Sequence, residues 1–239
     1  MAIRDHLTDL YERSECGSTK HRISEYLLLN WERIGQHTLS EMAKNMYVSK
    51  SVLSKFFTML TEEGSYDSFC IAVRKEQQGR FLFQSRLEEI HGKVVTAQEI
   101  KSFAQVLLQA DRVMIIADSL LIPHLRPLSY LLFDRHIPTE IMPFYYDKML
   151  IQHLQSLTSS SILVLFEPED SSYQKMSLRT LEFDFPDLVE KLHTTVFHVC
   201  HPDHHLYGTR MFELYKLHGI SQTELTDQFC AQFYRQLVN

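Results

Sequence analysis

The sequence has few of the features that mark special classes of protein. Only seven Gly and seven Pro occur in 239 residues, too few for a low-complexity or collagen-like chain. No stretch approaches the roughly 18 uncharged apolar residues that a membrane-spanning helix needs. The first ten residues carry charges where a secretion signal would have an apolar core. We therefore expect a cytoplasmic protein with no membrane partner.

The chain also lacks a recognisable cysteine framework. Its four cysteines lie far apart, and no Cys-x-x-Cys pair is present. Neither a disulfide scaffold nor a zinc ribbon is indicated, so we expect reduced thiols, no cofactor and no structural metal.

Histidine is concentrated in one segment. Five of the thirteen histidines lie between His193 and His205, beside Cys200 and Asp203. These residue types can bind zinc, and the segment lies at the carboxyl end of a predicted strand, where sites in α/β domains are found. A polar or pH-titrating surface loop has the same composition, so both interpretations stay open.

The negative charge of the chain is unevenly distributed. Residues 1–80 carry eleven Lys or Arg and eleven Asp or Glu, so the whole formal net charge of −6 comes from residues 81–239. The segment from Lys44 to Lys55 contains three lysines and no acid. This asymmetry predicts two domains with different partners.

Apolar residues at helical spacing run through residues 1–75. Thr38-Leu-Ser-Glu41 is a capping box, which predicts a short helix starting there, and Ser49 can cap the next one. The second helix has an apolar face of Val52, Leu53, Phe56, Phe57 and Leu60. Its opposite face consists of Lys50, Ser51, Ser54, Lys55 and Thr58.

Two short helices joined by a tight turn, with lysines and serines outside, meet the requirements for reading a DNA major groove. A helical hairpin with a solvated face is the alternative. Tyr47 departs from the usual pattern, because this turn position needs φ > 0 and often holds Gly; we expect a cost of about 1 kcal/mol unless the turn is rearranged. The candidate DNA-binding residues are Lys44, Ser49, Lys50, Ser51, Ser54 and Lys55.

The pattern changes after residue 76. Residues 77–95 are predicted as a helical connector, with a helix from Gln77 to Glu89. Beyond it, apolar runs alternate with helix-length segments, which predicts a parallel sheet covered on both faces. The predicted strands are 113–117, 137–142, 161–166, 195–200 and 211–217. The predicted helices are 125–134, 145–157 and 187–192, together with two that follow capping boxes at Thr96 and Ser221.

The N-terminal residues resemble a known family. Ile23-Ser-Glu-Tyr-Leu-Leu-Leu-Asn30, Thr38-Leu-Ser-Glu-Met-Ala43, Val48-Ser49, Ser54-Lys-Phe56 and Tyr66-Asp-Ser-Phe69 are similar to the N-terminal domain of RpiR-type (MurR/RpiR) bacterial transcriptional regulators. The resemblance covers about residues 19–75. It implies a C-terminal sugar isomerase (SIS) domain, a parallel α/β layered fold that binds phosphosugars and dimerises. We therefore expect a helix-turn-helix domain at 1–76 and an SIS-like α/β three-layer domain at 96–239.

The implied phosphosugar loops have lost their motifs. The family's Gly-x-Gly-x-Ser aligns with Ala117-Asp-Ser-Leu-Leu121, and its Ser-x-Ser-Gly-x-Thr with Phe166-Glu-Pro-Glu-Asp-Ser171. Three acids in the second loop would repel a phosphate dianion. Binding of an ordinary phosphosugar is thus disfavoured, and a dimerisation role or a different effector is expected. The candidate effector residues are Asp118, Ser119, Glu167, Ser171 and Ser172.

These observations predict a non-enzymatic, sequence-specific transcriptional regulator, in keeping with the family's role in carbohydrate metabolism. Its partners would be a double-stranded operator and further copies of the chain, as a homodimer or dimer of dimers. A phosphosugar isomerase of the SIS fold is the alternative from the enzyme class. An interaction module that has lost DNA binding is a third possibility.

Overall fold

The chain folds into two compact units, Met1–Arg86 and Leu87–Asn239, called here the N-terminal and C-terminal units. The computed structural model describes residues 2–61, 63–89, 97–143, 147–167, 192–200, 210–213 and 222–238. Among the helices within these ranges, none combines the length and apolarity needed to cross a membrane.

The N-terminal unit is helical throughout its described part. Its elements are α1 (Ile3–Arg13), α2 (Thr19–Leu29), a 3-10 turn (Trp31–Arg33), α3 (Leu39–Asn45), α4 (Lys50–Thr58) and α5 (Tyr66–Glu89). The largest fully buried side chains of this unit come from α1, α2, α4 and α5; they include Tyr11, Leu27, Phe57 and Phe69. The helical periodicity of residues 1–75 is confirmed.

Helix α5 differs from the expectation of a separate connector helix. The single helix Tyr66–Glu89 runs through residue 77, where the more polar pattern was interpreted as a new element. Gly79 does not interrupt it, since a glycine inside a helix costs only about 1 kcal/mol. The more polar pattern therefore does not mark a helix end, and residues 90–96 lie outside the described ranges.

The C-terminal unit contains the predicted parallel sheet. Its elements are α6 (Ala97–Leu107), β1 (Arg112–Ala117), α7 (Ile122–Asp134), β2 (Thr139–Pro143), α8 (Asp147–Gln155), β3 (Ser161–Glu167), β4 (Thr195–Cys200), β5 (Arg210–Glu213) and α9 (Gln222–Val238). The strand order is β2-β1-β3-β4-β5, and every neighbouring pair is parallel.

Both faces of this sheet are covered. On one face, Val113 and Ile115 of β1 pack in a core with residues of α6, α7 and α9, including Phe103, Leu128 and Phe229. On the other face, Met114 and Ile116 pack with Leu150 and Leu154 of α8. Burial on both faces explains why the strands are continuous apolar runs. It also confirms the α/β layered architecture.

Several element boundaries differ from the predicted ones. Strand β2 begins at Thr139 rather than Ile137, because the Ile137 amide closes the end of α7 by donating to Leu132 O at 2.9 Å. Strand β5 begins at Arg210. Residues 214–221, residues 187–191 of the predicted helix 187–192, and Thr96 and Ser221, the first residues of the other two boxes, lie outside the described ranges.

Candidate nucleic-acid interface

Helix α3 begins at a reciprocal cap. The Thr38 Oγ1 atom accepts a hydrogen bond from the Glu41 amide at 3.3 Å, and the Thr38 amide donates to the Glu41 carboxylate at 2.7 Å. This confirms the capping box, which satisfies two amides that the helix itself leaves unpaired. Hydrogen bonds from the amide and hydroxyl of Thr38 stabilise the charged carboxylate, so the pKa of Glu41 lies below its usual value.

Helix α3 ends in a Schellman motif. The Val48 amide donates to Ala43 O at 3.0 Å, and the Tyr47 amide donates to Lys44 O at 3.1 Å. These two bonds require the intervening residue to be left-handed, and Tyr47 has φ 54°. The expectation of a positive φ at this position is confirmed, and the turn is not rearranged to avoid it.

The turn is also tied to helix α2. The Arg22 guanidinium donates to Met46 O at 3.3 Å, and the Asn45 side-chain amide donates to the Tyr26 hydroxyl at 3.3 Å. Three consecutive helices thus hold the turn in place, because α2 contacts the backbone between α3 and α4.

Helix α4 starts at the predicted cap. The Ser49 hydroxyl accepts from the Val52 amide at 3.2 Å. Leu53, Phe56 and Phe57 of this helix are buried, as expected from their spacing. The assignment of Val52 to the buried face is wrong, since its side chain is 40% exposed. The reason is its position around the helix axis: Val52 lies at the edge of the apolar stripe, between Phe56 and Lys55, rather than at its centre.

Aromatic packing fixes the inner face of α4. The Phe57 ring lies 4.6 Å from the Phe69 ring and 5.3 Å from the Tyr66 ring, both on α5, measured between centroids. The Tyr66 hydroxyl donates to His37 O at 2.6 Å. Burial raises the pKa of this phenol well above its usual value, so it remains a donor. The inner face of α4 therefore packs against α5, and Tyr66 joins α5 to the segment before α3.

The outer face of α4 carries the predicted DNA-binding side chains. All six candidates are exposed: Lys44, Ser49, Lys50, Ser51, Ser54 and Lys55. Four of them belong to α4, Ser49 is its cap, and Lys44 lies in the last turn of α3. The surface that they form is called here the α4 face. It presents three ammonium groups and no carboxylate from residues 44–55.

One large side chain beside this face is not among the predicted DNA-binding residues. Tyr47 is 88% exposed, and Val52 adds exposed apolar surface nearby. The signal in the sequence is an aromatic residue at a turn position where Gly is usual, which by itself indicates only a backbone cost.

The candidate effector residues lie on the C-terminal unit. Strands β1 and β3 are parallel neighbours with Ala117 opposite Phe166, so the segments that follow them leave the sheet at the same edge. Asp118 is exposed and Ser119 is half-buried after β1, and Glu167 is the last residue of β3. Ser171 and Ser172 lie outside the described residues. An effector-binding role for any of these five residues stays a prediction.

The loop after β1 uses one of its own amides internally. The Asp118 carboxylate accepts a hydrogen bond from the Leu120 amide at 2.8 Å. A phosphate group at a loop of this kind would need such amides as donors. Here the Asp118 carboxylate already accepts the hydrogen bond from that amide and adds negative charge. The Leu120 side chain is 74% exposed at the same loop.

The histidine segment is only partly described. His193 is exposed ahead of β4, and His198 is buried within that strand. Strand β4 ends at Cys200, and His201, His204 and His205 lie outside the described residues. Whether the segment binds zinc stays an open prediction.

Comparisons with known proteins give similarity of structure only. No protein-family model and no curated protein matches the sequence. One similar solved structure is the C-terminal domain of glucosamine-fructose-6-phosphate aminotransferase from Francisella tularensis, with a TM-score of 0.46 and 14% identity over 82% of this chain. This chain covers 51% of that one, about half its length.

A second similar structure extends over nearly the whole chain. It is the Vibrio vulnificus NanR protein complexed with ManNAc-6P, with a TM-score of 0.44 and 13% identity. The similarity covers 99% of this chain and 90% of that chain. At these scores neither match carries a conclusion about function, which must come from the residues themselves.

Proposed function

We propose that the chain is a sequence-specific DNA-binding transcriptional regulator whose helices α3 and α4 form a helix-turn-helix. The observation that carries the proposal is the α4 face: a short, capped helix with a buried aromatic side and an exposed side of lysines and serines. The proposal assigns no catalytic role to the chain.

The chemistry of the α4 face suits a major groove. Lys50 and Lys55 supply point charges for phosphate oxygens or for the acceptor atoms of guanine. The hydroxyls of Ser51 and Ser54 can donate to or accept from base edges, and Lys44 on α3 would contact the DNA backbone. The net charge of the whole chain is negative, but attraction to DNA depends on the local +3 of this segment.

Dimerisation is part of the proposal. One recognition helix reads only a few base pairs, so two-fold symmetry is needed to specify an operator. The C-terminal unit would supply the contacts between copies, as a homodimer or a dimer of dimers. It could also take an effector.

An ordinary phosphosugar is a poor candidate for that effector. The acids in the segment that begins at Glu167 and the occupied amide of Leu120 both disfavour a phosphate dianion. Thermal melting with added phosphosugars tests this point. A saturable rise of several degrees in melting temperature would overturn it.

DNA binding is tested by selection from a randomised pool of duplexes, followed by fluorescence anisotropy on the selected sequences. We expect the unaltered protein to enrich a pseudo-palindromic site. The double variant Lys50→Ala/Lys55→Ala should bind about 10- to 100-fold more weakly. It should also reduce the slope of log affinity against log salt by about 2, close to one unit for each lost charge.

A charge-matched control is available on the same unit. Lys20 and Lys75 are exposed on α2 and α5, away from the α3–α4 pair in sequence. Lys20→Ala/Lys75→Ala removes the same charge and should leave most of the affinity intact. No enrichment from the pool, or equal affinity for the Lys50/Lys55 variant and the unaltered protein, would refute the proposal.

A further inference from the structure

Tyr47 adopts a backbone conformation that its side chain does not favour. It is the left-handed residue of the Schellman motif that ends α3, with φ 54°. Glycine is the usual residue there, because a Cβ atom crowds the following carbonyl in this conformation. A tyrosine at this position therefore carries a backbone cost that glycine would not.

The Tyr47 side chain gains little packing against the described part of the chain that could offset this backbone cost. The Tyr47 side chain is 88% exposed, the largest value among the large hydrophobic side chains described. Within the described residues, its hydroxyl makes no hydrogen bond. A buried tyrosine gains stability from its ring and from a partner for its hydroxyl. An exposed tyrosine in a left-handed turn gains neither within its own unit.

The position of Tyr47 indicates which contact would offset the backbone cost of its left-handed conformation. It stands two residues before Ser49, the cap of α4, and the turn that carries it is fixed by the Arg22 and Asn45 hydrogen bonds. Residues at this end of a recognition helix lie beside the phosphates that border the major groove, and tyrosine hydroxyls are regular donors to phosphate oxygens.

We propose that Tyr47 is a further DNA-contacting residue, whose hydroxyl donates to a backbone phosphate beside the N-terminus of α4. This inference rests on the proposed function. Because a phosphate contact carries no sequence information, Tyr47 contributes to affinity for all duplexes and not to the choice among them.

Two substitutions separate the hydroxyl from the backbone effect. Tyr47→Phe keeps the ring and the φ preference but removes the donor. Tyr47→Gly removes the side chain and also the backbone conflict. We expect both variants to bind the duplex selected by the unaltered protein about tenfold more weakly. The ratio of affinities for selected and scrambled duplexes should stay unchanged, and the salt slope should stay unchanged because no charge is lost.

Thermal stability distinguishes a contact from a folding defect. Tyr47→Gly should melt at the same temperature as the unaltered protein or a few degrees higher, since the left-handed conformation is no longer strained. Weaker binding by a protein of equal or greater stability cannot be explained by loss of fold.

The chain provides a matched control. His136 also has a positive φ, 61°, and also stands at the left-handed position of a Schellman motif, at the end of α7. It is exposed, and it belongs to the C-terminal unit. His136→Gly should relieve the same strain and leave DNA affinity unchanged.

The outcomes separate the inference from the function on which it rests. If Lys50→Ala/Lys55→Ala loses affinity while both Tyr47 variants bind normally, the proposed function stands and the inference is wrong. Loss of binding in Tyr47→Gly but not in Tyr47→Phe also overturns the hydroxyl contact. If the unaltered protein selects no duplex, the proposed function itself fails.

Discussion

The Thr38 hydroxyl and the Glu41 carboxylate cap α3 from opposite directions, with the Thr38 amide 2.7 Å from the carboxylate and the Glu41 amide 3.3 Å from the hydroxyl. These two hydrogen bonds fix the residue at which α3 begins. They also contribute to the stability of the N-terminal unit, whose unfolding can be monitored on its own. Trp31 is the single tryptophan of the chain and is buried in that unit.

Thr38→Ala should destabilise the N-terminal unit by about 1 kcal/mol, because it leaves an amide of the first turn of α3 without an acceptor. Urea unfolding monitored by Trp31 fluorescence measures the change. Ser51→Ala removes an exposed hydroxyl from the first turn of α4, where Ser49 and not Ser51 is the cap, and serves as the control, with little expected effect. Equal destabilisation by both variants would contradict the role of the cap.

The lowered pKa of Glu41 predicts a pH dependence with a definite sign. A carboxyl whose pKa is lower in the folded state adds stability above its unfolded pKa, and that stability is lost as the pH falls through the folded value. Part of the stability of the N-terminal unit should therefore disappear on the acid side of about pH 4.

Glu41→Gln tests that dependence, since glutamine can still accept the same hydrogen bonds but does not titrate. The urea midpoint of this variant, followed by Trp31 fluorescence, should fall less steeply with acidification than that of the unaltered protein. Identical pH profiles for the two proteins would show that Glu41 is not linked to folding.

Phe57 anchors the inner side of α4, so its truncation should affect stability and DNA binding together. Phe57→Ala creates a cavity beside Tyr66 and Phe69 and should cost about 3–5 kcal/mol. Val52→Ala, at a position 40% exposed on the same helix, should change stability by about 0.5 kcal/mol or less. Urea unfolding of both variants checks the contrast, and a similar loss in each would refute the packing.

The cysteines should differ in reactivity. Burial raises the pKa of the Cys70 and Cys230 thiols, which suppresses the reactive thiolate. Cys16 is only half-buried, between α1 and α2. In the variant Cys16→Ser/Cys200→Ser, the remaining two thiols should resist Ellman's reagent until denaturant is added.

Cys200→Ser alone provides the control for that experiment. It retains Cys16 and should release one equivalent of chromophore from the folded protein. Rapid reaction of the folded double variant would show that Cys70 or Cys230 is accessible.

Local signals predicted the elements that depend on nearby residues. The capping box at Thr38, the Ser49 cap and the positive φ at Tyr47 each involve residues within about four positions of one another, and each is confirmed. The strands also have a local signal, because a strand buried on both faces is a continuous apolar run in the sequence. The predicted start of β2 is wrong because Ile137 is apolar like a strand residue, yet its amide closes the end of α7.

The helical N-terminal part, with its capped, lysine-bearing helix, and the C-terminal parallel sheet follow from periodicity and short-range hydrogen bonding along the sequence. The exposure of Val52 and Tyr47 beside the α4 face does not, because exposure depends on which distant neighbours cover a residue. Helices α2 and α5 contact the inner side of α3 and α4 and leave these two side chains uncovered. The same packing holds the turn so that Tyr47 keeps a left-handed backbone and an uncovered ring.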